Sequence, residues 1–148
     1  MATDEQEDDM RQQAEVGTRR IDARFLDGEA YEFTARGHRV RVDQPVTDGG
    51  DDTAPTPVEL LVGSLATCVA FYAGRYLTRH GLGRDGLRVS ADYEMAADRP
   101  ARVAALRLTV HVPPGLPADR RAALLAVASH CTVGNTLADP PDVSVDLA

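Results

Sequence analysis

From Ile21 onward the chain alternates between apolar and polar residues. Ile21, Ala23 and Phe25 are separated by Asp22 and Arg24. Tyr31, Phe33 and Ala35 are separated by Glu32 and Thr34, and Val40 and Val42 lie among Arg39, Arg41 and Asp43. A period of two marks half-buried strands, and Asp27-Gly28 and Arg36-Gly37 punctuate the runs as turns. The spacing predicts a three-stranded antiparallel meander with one apolar face. After a loop from Gly49 to Pro55 the pattern changes, and no residue from Leu60 to Gly74 is charged. The ends of this stretch predict a helix over Pro57 to His80. Thr56 is a suitable N-cap, Pro57 fits the first helical position, and Glu59 has capping-box spacing. Arg75, Arg79 and His80 suit the negative end of the dipole, and Gly81 suits the left-handed C′ position. The uncharged run is shorter than the roughly 18 residues of a membrane span, so the pattern predicts a core helix rather than a membrane segment.

Two further alternating runs follow. Leu87, Val89, Ala91, Tyr93 and Met95 form one, and Leu106, Leu108, Val110 and Val112 the other. Asp98-Arg99-Pro100 lies between them, which predicts a hairpin-like pair. Pro117 opens a second helix with Leu124, Val127, Ala128 and Cys131 on one face. After the break at Pro140-Pro141, Val143, Val145 and Leu147 alternate as a last strand. The expected order is βββ-α-ββ-α-β, an α+β class with antiparallel sheet.

Residues 1–18 change this picture only at the edge. They carry six acids and Arg11, hence most of the formal net charge of −7, and read as a disordered or loosely attached tail before a single domain over 19–148. The remainder is nearly neutral and has no concentrated basic patch, which argues against a nucleic-acid partner. The acidic N-terminus has no apolar signal-peptide core. With two cysteines in 148 residues, the expectation is a reducing cytoplasm and free or redox-active thiols.

The cysteines are the candidates for chemistry. Cys68 shares a helical face with Leu61, Ser64, Leu65, Phe71, Tyr72 and Arg75. A buried thiol in apolar surroundings is ordinarily inert, and a reactive Cys68 needs a cation nearby. Arg75 on the same face and Arg24, Arg36, Arg39 and Arg41 from the first sheet are the sources. Cys131, at the end of the second helix, should meet the negative end of its dipole, which disfavours a thiolate. Cys68 is then the better attacking sulfur and Cys131 the better resolver. A second stripe of small residues, Gly63, Thr67, Ala70 and Gly74, either admits another helix closely or packs in an ordinary core. Metal-ligand spacing, a P-loop, a Rossmann fingerprint and GxSxG are all missing from the sequence, so neither cofactor nor metal is expected.

The stretch from Thr56 through Glu59-Leu60-Leu61 to Ala66-Thr67-Cys68, with His130-Cys131-Thr132-Val133-Gly134-Asn135-Thr136-Leu137, resembles the OsmC/Ohr family from about residue 20 to the end. The resemblance implies an OsmC-like intertwined homodimer with two long helices between sheets. It also implies a thiol-dependent peroxidase for organic hydroperoxides. By that analogy Cys68 becomes a sulfenic acid, Cys131 condenses with it to a disulfide, and an external dithiol reduces the disulfide. Family members use an Arg to activate the thiolate and a Glu to hold that Arg. Arg24 is the first choice for the Arg here and Arg41 the second, and both would serve only at a site formed between subunits. Three departures are visible. Val58 stands where the acid directly follows Pro, so Glu59 is either the catalytic acid or a helix cap; Thr132 replaces the Pro usual after the second Cys; and no Arg matches the activating position directly. Two other functions fit the pattern. One is a non-catalytic dimer of the same fold that binds a small apolar ligand. The other is a thioesterase-like hydrolase resting on Glu59, with the cysteines as bystanders.

Overall fold

A computed structural model describes residues 17–148, so all but the last two residues of the expected acidic tail lie outside the described residues. The chain divides into two compact units, one ending at Thr56 and the other running from Pro57 to Ala148.

The first unit is the expected meander: β1 (Asp22–Asp27), β2 (Ala30–Ala35) and β3 (His38–Val42), antiparallel in the order β1-β2-β3. Arg36 and Gly37 both adopt positive φ, 50° and 84°, as a two-residue primed turn requires. That turn twists with the strands it joins. Glu32 pairs with Arg24 on one side and Arg41 on the other, while Phe33 pairs with Ala23 and Val40. The charged and apolar residues therefore separate onto opposite faces, as the period of two requires. On the apolar face Phe25 and Tyr31 meet edge to face at 5.6 Å, yet they remain 59% and 48% exposed.

Beyond β3 a buried acid organises the loop. Asp43 accepts hydrogen bonds from the Gln44 N–H at 2.8 Å, the Thr53 N–H at 3.0 Å and the Thr53 hydroxyl at 2.6 Å. Arg41 donates to the same Thr53 Oγ1 at 3.0 Å. Gly50 packs so tightly on Gln44 that a Cβ would run into its carbonyl. The Thr53 hydroxyl, then the two N–H groups, hold the Asp43 carboxyl down from its ordinary 3.8 to about 2. A depressed folded-state pKa stabilises the fold above the unfolded value, and that stabilisation disappears as pH falls through the folded value. Urea titrations should therefore show wild-type stability dropping between about pH 4 and pH 2, with a flatter profile for Asp43→Asn. Parallel profiles would show that Asp43 does not carry this dependence.

The second unit opens with α1 (Pro57–Arg79), 23 residues and roughly 35 Å long. It begins at the expected proline and stops in a Schellman closure. Gly81, at φ 68°, donates to the Thr78 carbonyl, and Leu82 to the Leu77 carbonyl at 2.8 Å. By length and composition α1 would suffice to cross a bilayer. Instead it is the centre of a core in which Leu65, Val69, Ala73, Tyr76 and Leu77 pack against Leu116, Leu124, Ala128 and Cys131. β4 (Arg88–Met95) and β5 (Val103–His111) form the expected antiparallel hairpin and turn Val89, Leu106, Leu108 and Val110 onto that core.

Three expectations need correction here. The second helix, α2 (Arg121–Ser129), follows a 3₁₀ turn over Ala118–Arg120; Val127 is 37% exposed and off its core face. Cys131 lies beyond α2 and opens a third helix, α3 (Thr132–Ala138). The last strand does not form. Val143, Val145 and Leu147 are 83–101% exposed, because alternation marks two faces but a strand also needs a neighbouring edge to bond its backbone. The small stripe of α1 is also split. Gly63 faces open space and Thr67 is exposed, whereas Gly74 is buried under the Arg84 side chain.

Candidate functional site

Two chain segments bring the sulfurs together. Mid-way along α1, Cys68 is half-buried, next to the buried Leu65 and Val69 and the exposed Phe71. Cys131 is 1% exposed and sits between α2 and α3. Its backbone is extended, φ −68° and ψ 154°, which is N-cap geometry, and its Sγ accepts the Gly134 N–H at 3.3 Å. Gly134 permits that approach; a Cβ there would lie 3.1 Å from Cys131 Sγ and 3.7 Å from Leu65 Cδ1. Both cysteines are free thiols, and Cys68 packs against the core cluster that contains Cys131.

Burial pushes the Cys131 thiol above its ordinary 9.0. The neighbouring Cys68 adds to the rise, and the Gly134 N–H opposes it. The direction is the one the sequence suggested, but the cause is not. Cys131 caps the positive end of α3, so desolvation, not a helix C-terminus, keeps it protonated. The pair is asymmetric: one thiol is partly open to solvent, the other is buried and protonated at neutral pH.

Around the sulfurs lie other residues of the Cys68 helical face. The Tyr72 hydroxyl, one turn after Cys68, shares a 2.9 Å hydrogen bond with Thr132 Oγ1, beside Cys131. Phe71 meets Tyr72 edge to face at 5.4 Å, and the Arg75 guanidinium lies over Phe71 at 5.7 Å. Arg75 is thus engaged with an aromatic ring on the face it shares with Cys68. The helical spacing of Phe71, Tyr72 and Arg75 signals the cluster, whereas the Thr132 contact has no local signal. Further toward the start of α1 is an open apolar groove of about 480 Å³ lined by Val58, Leu61, Ala105, Leu106 and Leu137, with Arg102 at its rim. Leu61 lies two turns before Cys68 on the same helical face.

The remaining candidates are placed as follows. Glu59 is exposed in the first turn of α1, where an acid suits the dipole. Arg24, in the first unit, donates to Glu32 at 3.0 Å, and Arg39 binds the same carboxylate at 2.9 Å. The Arg39 hydrogen bond, with Arg24 behind it, lowers the pKa of Glu32. Arg41 reaches Asp27 at 3.3 Å. Glu32, which links two of the candidate arginines, was not distinguished by the sequence; its signal is the cross-strand register, which places it opposite Arg24. Among the described residues no group of three or more potential metal ligands is present.

Residues 49–146 match the sequence profile of the OsmC-like protein family. Solved structures share the fold. A Psychrobacter arcticus 273-4 protein named for osmotic stress induction and detoxification response superposes with a TM-score of 0.73 at 21% identity, over 81% of this chain and 88% of that one. The Legionella pneumophila organic hydroperoxide resistance protein OsmC gives 0.61 at 18% identity, over 82% and 90%. An OsmC-like protein from Mycoplasma pneumoniae gives 0.67 at 14% identity, over 84% and 90%. Comparison with curated proteins finds no match.

Proposed function

The chain belongs to the OsmC-like family, and from that premise we propose that it is a thiol-dependent peroxidase for organic hydroperoxides. The observation that carries the proposal is the pair of free thiols from the two ends of the second unit, one half-buried and one buried, brought together in one core cluster. The Cys68 thiolate attacks the O–O bond of the hydroperoxide. An alcohol leaves and Cys68 becomes a sulfenic acid. The Cys131 sulfur then displaces the sulfenic hydroxyl as water, and the resulting disulfide is reduced by an external dithiol. The apolar groove beside Leu61 suits the hydrocarbon part of such a substrate. The hydroperoxide resistance in the name of the Legionella protein agrees with this reading.

The active form is an intertwined homodimer. Its support is the apolar surface left exposed in one chain: Phe25 and Tyr31 on the first sheet, Leu61 and Phe71 on α1. An arginine from the first unit, Arg24 or Arg41, activates Cys68 across the two chains. Glu59 supports that arginine or only caps α1. Starting each cycle from two reduced thiols suits a reducing cytoplasm.

The test is peroxide consumption by the pure protein with dithiothreitol, using cumene hydroperoxide against hydrogen peroxide. Catalytic turnover, faster with the organic substrate, is expected, together with a two-chain mass by light scattering. No consumption above the dithiothreitol background would defeat the peroxidase reading and leave non-catalytic binding at the groove. A stable monomer would defeat the dimer.

A further inference from the structure

The Tyr72–Thr132 hydrogen bond joins the two cysteine-bearing elements and belongs to neither sulfur. Tyr72 follows Cys68 by one helical turn and so shares its face, while Thr132 directly follows Cys131. Their hydroxyls meet at 2.9 Å. We propose that this bond is a latch that positions Cys131 for disulfide closure with Cys68; the inference rests on the dithiol reading above and adds the residues that set its equilibrium. Both are positioning residues.

The reason is the weakness of α3 as an anchored element. It has seven residues, none of them buried. A helix that short does not persist on its own, so its place on α1 depends on a small set of contacts. Those contacts are Cys131 itself, Val133 on the core, the close approach of Gly134 to Cys131 and Leu65, Leu137 beside Leu61 in the groove, and the bond between Thr132 and Tyr72, the one hydrogen bond between side chains among them. A disulfide tolerates only a narrow range of Cα separation, roughly 4.4–6.8 Å, so any loosening of the first turn lowers the fraction of chains ready to close. Phe71, packed edge to face on Tyr72, steadies the ring that carries the hydroxyl. The bond is partly open to water, which puts its net effect at the low end for hydrogen bonds.

The test equilibrates the full chain with buffers of oxidised and reduced dithiothreitol. Exchange with the cyclic disulfide transfers two electrons and two protons to it and leaves the Cys68–Cys131 bond in the protein. Alkylation and intact mass give the oxidised fraction. Tyr72→Phe and Thr132→Val should each lower the equilibrium constant for disulfide formation by roughly two- to fivefold. The double variant should fall no further than either alone, and Thr132→Ser, which keeps the hydroxyl, should retain the wild-type constant. A wild-type constant in Tyr72→Phe, or additive losses in the double variant, would overturn the latch. So would a wild-type chain that forms no disulfide in fully oxidised buffer. The expected shifts in a protein that consumes no peroxide would support the latch while overturning the peroxidase reading, so the two fail separately.

Discussion

Cys68→Ser should bring peroxide consumption to background, whereas Cys131→Ser should still consume about one equivalent in a burst. Only a thiolate attacks the O–O bond, and a serine hydroxyl at neutral pH is not a useful substitute. Cys131 cannot take over, because burial keeps its sulfur protonated and closed to solvent. In Cys131→Ser the sulfenic acid at Cys68 has no internal partner. It should persist, react with a small thiol, or pass to sulfinic acid with excess peroxide. Dimedone labelling followed by intact mass distinguishes these fates. The raised pKa of Cys131 also sets a pH trend. Its thiolate fraction, and hence disulfide closure in the wild type, should increase as pH rises above neutral. Stopped-flow measurement of closure at pH 6.5 and 8.5 tests this. Full activity in Cys68→Ser with none in Cys131→Ser would exchange the two roles. Unchanged, wild-type activity in both variants would move the chemistry off the cysteines, toward Glu59.

Leu77→Ala should destabilise the second unit by about 2–5 kcal/mol, the usual range for a fully buried leucine. Leu77 is 0% exposed and packs in the same cluster as Leu116, Leu124 and Cys131. Truncation removes apolar contact and leaves a cavity between α1 and α2, which the helices can close only by shifting. Leu125→Ala, at a residue 57% exposed, should change stability by less than about 0.5 kcal/mol. Urea unfolding of both variants provides the comparison. Because Leu77 lies nine residues past Cys68 on α1, Leu77→Ala should keep its peroxide burst at temperatures where it remains folded. Equal, small losses in the two variants would place Leu77 outside the core.

The elements with a strong local period were legible. β1 to β5 and α1 lie where alternation, the Thr56-Pro57 start and Gly81 placed them, because side-chain direction in a strand or helix is set by backbone geometry within a few residues. Cys68 was also legible as a member of a helical face with Tyr72 and Arg75. The final strand was not, since an alternating segment specifies faces and leaves open whether an edge is there to pair with. The spacing of Gly74 left open whether its stripe admits another helix or packs in a core, and Arg84, from the connection after α1, folds back over it. Arg75 was legible on the face of Cys68, whereas its place over the Phe71 ring came only with the structure.

By itself the sequence determined the α+β class, the long apolar helix, the position of Cys68 on it and the family to which the chain belongs. Each of these follows from periods, caps and motifs read over a few neighbouring residues. The tertiary structure alone decided the state of Cys131: its burial, its role as cap of α3 and the hydrogen bond that the neighbouring Thr132 shares with Tyr72. These depend on how α3 packs against a helix from the other end of the unit. Desolvation and contact between segments so distant in sequence arise only when the chain closes on itself, and no local pattern encodes them.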